Sequence, residues 1–140
     1  MITKFDNCKF REALPANCPP DDAGPLNTQV LVRLVEGPDV TEADFDSQEK
    51  LGYECTIENG DCEWASCSMF LPSVPKHKLV TLTKYKRLKK KKHVAYVEIN
   101  ELSGIAKVGT SKHVDVWMFQ DYTPSANIGR VVGLDAYEPS

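Results

Sequence analysis

The sequence predicts an α+β fold, a mainly antiparallel and strongly twisted sheet of about five or six strands with two helices against it. Three observations carry that expectation. Short runs rich in Val, Ile and aromatic residues recur at 29–35, 94–99, 105–108, 114–119 and 128–134, each bounded by Gly, Pro, Asn or Asp. Only two stretches carry helix signals. No G-x-G-x-x-G or P-loop follows any strand, which excludes a doubly wound nucleotide fold.

At 140 residues, with 41% hydrophobic and 26% charged side chains, the chain has the size and composition of one ordinary domain. No apolar run approaches the ~20 residues that span a bilayer, so no membrane association is expected. Residues 1–10 lack the positive start and apolar core of a signal peptide, so the expected location is cytoplasmic.

Residues 1–28 read as an extended arm packed on the domain formed by 29–140. Phe5, Phe10 and Leu14 supply contacts, while Pro15, Pro19, Pro20 and Pro25 deny the segment a helix or an interior strand. Its expected role is to cover a sheet edge or an apolar patch. Residues 29–35 form the first strand, covered on both faces, with Arg33 as its single charge. An arginine there needs a carboxylate, an exposed edge or an anionic ligand, which its planar fork grips well.

Gly37-Pro38 ends that strand, and Thr41, Glu42 and Asp44 predict a helix N-terminus, with Phe45 as apolar contact and Gly52 as the stop. Asn59-Gly60 predicts a tight turn. Residues 62–71 read as a second core strand, on which Ser66 and Ser68 share one face, ordinarily a solvated one, and Cys67 and Met69 the other. Pro75 opens a helix over 76–88, with Leu79, Leu82, Tyr85 and Leu88 on one side.

Seven cations then crowd into residues 84–92: Lys84, Lys86, Arg87, Lys89, Lys90, Lys91 and Lys92, followed by His93. They cannot be buried unpaired, so they sit at the solvent-facing entry to the strand at 94–99. The net charge of −3 hides an asymmetry. Residues 1–64 carry fourteen acids against five bases, and residues 65–140 carry six against twelve. The halves either neutralise each other or form one acidic and one basic face.

Five cysteines without a secretory signal are expected to be reduced, inert thiols, and their spacings miss the short pairs of structural zinc sites. No metal is expected. His113 and Asp115 share a face of the strand at 114–119, and Ser111 shares their parity. A Ser, His and Asp along one strand do not make a triad, because nucleophile and base must meet across space. His77 and His93, among lysines, are poor metal ligands.

The function most consistent with these features is a binding, accessory or regulatory protein, more a binder than an enzyme and needing no cofactor. Its partner is unspecified, either another protein or an anionic partner such as nucleic acid met by Arg33, residues 84, 86, 87 and 89–92, and His93. Exposed sheet edges also permit a homodimer. A second reading rests on the order Arg33, Ser66-Cys67-Ser68, then Glu98 or Glu101, which loosely resembles the ADP-ribosyltransferase fold. The resemblance implies NAD as cosubstrate, Arg33 on a phosphate, Ser66 or Ser68 ordering the pocket, and Glu98 or Glu101 facing the oxocarbenium-like centre. The close Glu-x-Glu pair of that family is absent.

Overall fold

The computed structural model describes residues 5, 7–56 and 60–140. Asn59 of the expected turn lies outside them, as do residues 1–4 and 6 of the arm. Six strands form one antiparallel sheet: β1 (Gln29–Val35), β2 (Cys67–Phe70), β3 (His93–Ile99), β4 (Gly104–Val108), β5 (His113–Met118) and β6 (Ile128–Gly133). Their spatial order is β4-β5-β2-β1-β3-β6. Two α-helices accompany them, α1 (Asp61–Trp64) and α2 (Lys76–Leu82), so the α+β class and the mainly antiparallel sheet hold. Among the described residues no helix is long and apolar enough to cross a membrane.

Period-two alternation gives the sheet two faces. One presents Leu31, Val35, Cys67, Met69, Ala95, Val97, Val114, Val116 and Met118, all buried, under Phe45 and Tyr122. Burial pushes the Cys67 thiol up, so it stays protonated and inert. The other face, covered by α2 and the C-terminal segment, presents Val32, Leu34, Phe70, Val94 and Tyr96 beneath Leu79 and Tyr137. The Tyr137 hydroxyl lies 2.9 Å from the Pro72 carbonyl and 2.8 Å from that of Val74, fastening this cover to the segment after β2. A separate cluster of Phe5, Ala23, Ile105 and Trp117 lies at the β4–β5 side. Gly24 exchanges two backbone hydrogen bonds with Ala106 of β4, and Phe10 bridges Phe119.

The helices depart from the sequence reading, for identifiable reasons. The helix expected from Thr41 to Gly52 is a single 3-10 turn, Glu42–Phe45. Arg11 donates to the carbonyls of Glu42 (2.6 Å) and Phe45 (2.9 Å), and Arg33 to those of Asp44 (2.8 Å) and Asp46 (3.2 Å). Two arginines thus take acceptors that a continuing helix would need. The strand expected over 62–71 is shorter, because its beginning is α1, where Ala65 N–H donates to Asp61 and Ser66 N–H to Glu63. The helix expected over 76–88 ends at Leu82, and a second 3-10 turn, Lys86–Leu88, follows. Thr81 and Thr83 donate their hydroxyls back to the carbonyls of His77 and Val80, a habit that weakens helices.

The cysteine expectation also needs correction. Cys18 and Cys62 are joined in a disulfide, while Cys8 and Cys67 are free. The bond ties the segment before β1 to α1, and bonds of this kind persist mainly in oxidising compartments.

Candidate functional site

β1 and β2 meet at one pair, Val32 opposite Phe70, whereas β2 and β5 pair from Cys67 opposite Val116 to Phe70 opposite His113. Beyond Val32 the centre of the sheet is therefore not closed by a β1–β2 ladder. The Arg33 guanidinium closes it instead, donating to the Ser68 carbonyl at 2.6 Å. A cavity of about 220 Å³ opens here on the helix face, lined among others by Arg33, Ser68, Arg87, Lys91, His113 and Asp115.

The polar floor comes from two neighbouring strands. Ser68 directly opposes Asp115 and Phe70 opposes His113, so the two pairs that sequence parity identified separately share one face. Ser68 Oγ lies 2.5 Å from His113 Nε2. The other ring nitrogen, Nδ1, lies 3.9 Å from Asp115 Oδ1. The tautomer with its proton on Nδ1 faces that carboxylate and leaves Nε2 to accept from Ser68. The His113 and Phe70 rings meet in a T-shaped contact with centroids 5.2 Å apart.

Ser66, fully buried just before β2, has its hydroxyl 2.8 Å from Asp115 Oδ1 and 2.7 Å from the Glu63 carbonyl. The single hydroxyl proton is shared between these two acceptors. Burial pushes the Asp115 carboxyl above its ordinary value, against the opposing pull of His113 and Ser66.

The cationic wall comes from the basic segment. Lys84, Lys86, Lys89, Lys90 and Lys92 are exposed, while Arg87 and Lys91 are partly buried and line the cavity. Both reach the cavity from the 3-10 turn Lys86–Leu88 and the bend that follows it. The Arg87 guanidinium sits 5.4 Å from the Trp64 ring and 5.3 Å from that of Tyr85, which fixes its plane. Burial first, then the Arg33 guanidinium, hold the Lys91 ammonium below its usual value. Among the described residues no carboxylate lies within salt-bridge distance of Arg33, Arg87 or Lys91. Arg87 Nε and Gln48 Oε1, a donor and an acceptor on residues of the same lining, are buried without a hydrogen-bond partner among the described residues.

The expected site residues divide cleanly. Arg33, Ser66, Ser68, Arg87 and Lys91 come together. His93 does not line the cavity, and its ring lies 3.3 Å from the Glu36 carbonyl. Glu98 and Glu101 are exposed and outside the cavity, so the arrangement implied by the transferase resemblance is not assembled. Glu98 opposes the exposed Val30 near the end of β3, away from the centre of the sheet. Arg33 has neither the carboxylate nor the exposed edge expected of it: three backbone carbonyls hold it, and it is buried. Missed entirely was the meeting of Ser68 with His113, which parity permitted but only strand pairing reveals. Among the described residues no group of three or more His, Cys, Asp or Glu is placed to hold a metal ion.

No known family model matches the chain, and no curated protein or solved structure is significantly similar to it.

Proposed function

We propose that the protein binds a small anionic molecule, one bearing a phosphate or carboxylate, in the cavity between β1 and β2. The observation that supports this reading is the set of three cations, Arg33, Arg87 and Lys91, around one cavity without a carboxylate partner among the described residues. Among the lining acids, Asp46 already pairs with Arg11 at 3.1 Å and Lys50 at 3.4 Å. Burial raises the Asp115 pKa above its ordinary value. Glu63 and Asp115 are left against three positive groups. Arg33 also retains N–H capacity, since its bonds to the Asp44, Ser68 and Asp46 carbonyls use three of the five that a guanidinium carries. An anion here would offset the burial, and after it the Arg33 repulsion, that hold Lys91 down, and would be gripped in a low-dielectric setting.

Titration calorimetry with inorganic phosphate and pyrophosphate tests the proposal. Arg87→Ala with Lys91→Ala should weaken binding at least about tenfold, in line with losing charge-assisted hydrogen bonds. Replacing the five exposed lysines by Ala should change it little. The opposite pattern, with binding to a short oligonucleotide that weakens steeply with salt and depends on the exposed lysines, favours the surface reading in which the basic segment meets nucleic acid.

A further inference from the structure

We propose that Ser68 is a nucleophile activated by His113, and that the cavity hydrolyses a carboxylic ester through an acyl-Ser68 intermediate. The inference goes beyond anion binding and rests on different atoms. Ser68 Oγ and His113 Nε2 are separated by 45 positions in the chain and by 2.5 Å in space. The contact runs diagonally across the β2–β5 pair, since Ser68 directly opposes Asp115 and not His113. This is the approach of nucleophile and base that one strand by itself cannot provide. Asp115 lies behind the far nitrogen, where a carboxylate favours the imidazolium that forms during attack.

Access supports the reading. Ser68 lines the cavity, while His113 and Asp115 line both that cavity and a shallower adjoining groove of about 440 Å³ bordered by Lys78, Lys107 and Ser111. His113 thus stands on the ridge between two spaces, one for each side of a scissile bond. Along the helix face of β5, His113 and Asp115 lie between the cluster around Phe70 and the cluster around Trp117, where apolar residues would bury area without any polar cost.

The chemistry balances without an outside oxidant or reductant. Ser68 Oγ adds to the acyl carbon as its proton passes to His113 Nε2. The carbon–oxygen bond to the alcohol breaks as Nε2–H returns that proton to the leaving oxygen. Water, deprotonated by Nε2, then cleaves the acyl ester and restores Ser68.

The test is to incubate the full chain with an alkyl fluorophosphonate and map the adduct by peptide mass spectrometry. One phosphonyl group on Ser68 is expected, slowed by about 10²-fold or more in His113→Gln and absent in Ser68→Ala. Hydrolysis of a short-chain p-nitrophenyl ester should fall in the same order. No adduct on the wild-type chain, an adduct on another residue, or equal labelling rates in wild type and His113→Gln would each overturn the proposal, and the first two require no variant to fold. Phosphate titration reads Arg87 and Lys91 instead, so the binding proposal and this one fail separately.

Discussion

The two faces of the sheet are built to different rules. The face under Phe45 is apolar along β1, β2 and β5 except at Arg33 and at Gln29, where β1 begins, with Leu31, Val35, Met69, Val114 and Val116 each at most 1% exposed. The face under α2 starts the same way, with Val32, Leu34 and Phe70, and then breaks into Ser68, His113 and Asp115 before apolar packing resumes at Trp117. The first face has what stability requires. Its counterpart gives up apolar burial at the middle of the domain for groups that can donate, accept and hold charge, the local inconsistency expected of a functional site. Stability and chemistry therefore respond to different substitutions, and the contrast can be tested from either side.

The largest effect should come from the staple beside the polar seam. The Cys18–Cys62 bond joins positions 44 residues apart, and removing a cross-link of that reach costs about 4 kcal/mol in the chain-entropy account. Urea unfolding of the Cys18→Ser, Cys62→Ser double variant measures it. A loss under about 1 kcal/mol would mean that the arm is held by its apolar contacts and not by the bond.

Adjacent residues give the sharpest form of the contrast. Met69 points into the apolar face and is fully buried, whereas Ser68 points into the cavity. Met69→Ala should destabilise by about 3 kcal/mol, through lost burial and the cavity left behind. Ser68→Ala should change stability by less than about 1 kcal/mol while abolishing the fluorophosphonate adduct. Equal costs at the two positions would erase the distinction between the faces.

A smaller effect should appear in the pH dependence. Burial, the largest influence on Asp115, raises its folded pKa above the ordinary 3.8. The native state then holds this proton more tightly than the unfolded chain, so the group's contribution is most favourable below the unfolded pKa. It is lost as pH rises through the raised folded value. Asp115→Asn removes that dependence and keeps a side chain able to bond Ser66. The variant should therefore gain in melting temperature relative to wild type as pH is raised above about 4, then hold a constant offset. A relative loss over that range would mean that attraction to His113 outweighs burial.

Most of the strand framework was legible in the sequence, because runs such as 29–35 and 94–99 fit a pleated, buried surface and little else. The helices were less so. Thr41 and the acids after it do cap a turn, with Asp44 accepting from the Thr41 N–H at 2.7 Å, but nothing local announces that Arg11 and Arg33 will take the next carbonyls. The site was legible in halves. Parity placed Ser66 with Ser68 and His113 with Asp115, while the pairing of β2 with β5 is a long-range fact that parity cannot supply. Within the basic segment, nothing local sets Arg87 and Lys91 apart from the lysines around them. Arg33 was correctly singled out, yet its carbonyl partners come from backbone 11, 13 and 35 residues away.

The smallest effect concerns how His113 is delivered to the seam. β4 and β5 are joined by a turn in which the His113 N–H donates to the Thr110 carbonyl at 3.1 Å, with Ser111 at φ 58° and Lys112 at φ 66°. Both central residues are left-handed, as in the type I′ turn that matches the twist of paired strands, and neither is the Gly or Asn that such a turn prefers. A side chain in this region costs energy that glycine does not, offset in part by glycine's greater freedom when unfolded. Lys112→Gly should thus stabilise by about 0.5 kcal/mol, read as a shift in the urea midpoint at constant slope. The turn sets the β4–β5 register, in which Lys107 opposes Asp115 and Val108 opposes Val114, and relaxing it leaves that register intact. Ser68 labelling should then proceed at the wild-type rate. Slower labelling in a more stable chain would mean instead that the strained turn helps to aim His113 at Ser68, and that part of the division between stability and chemistry is drawn outside the seam.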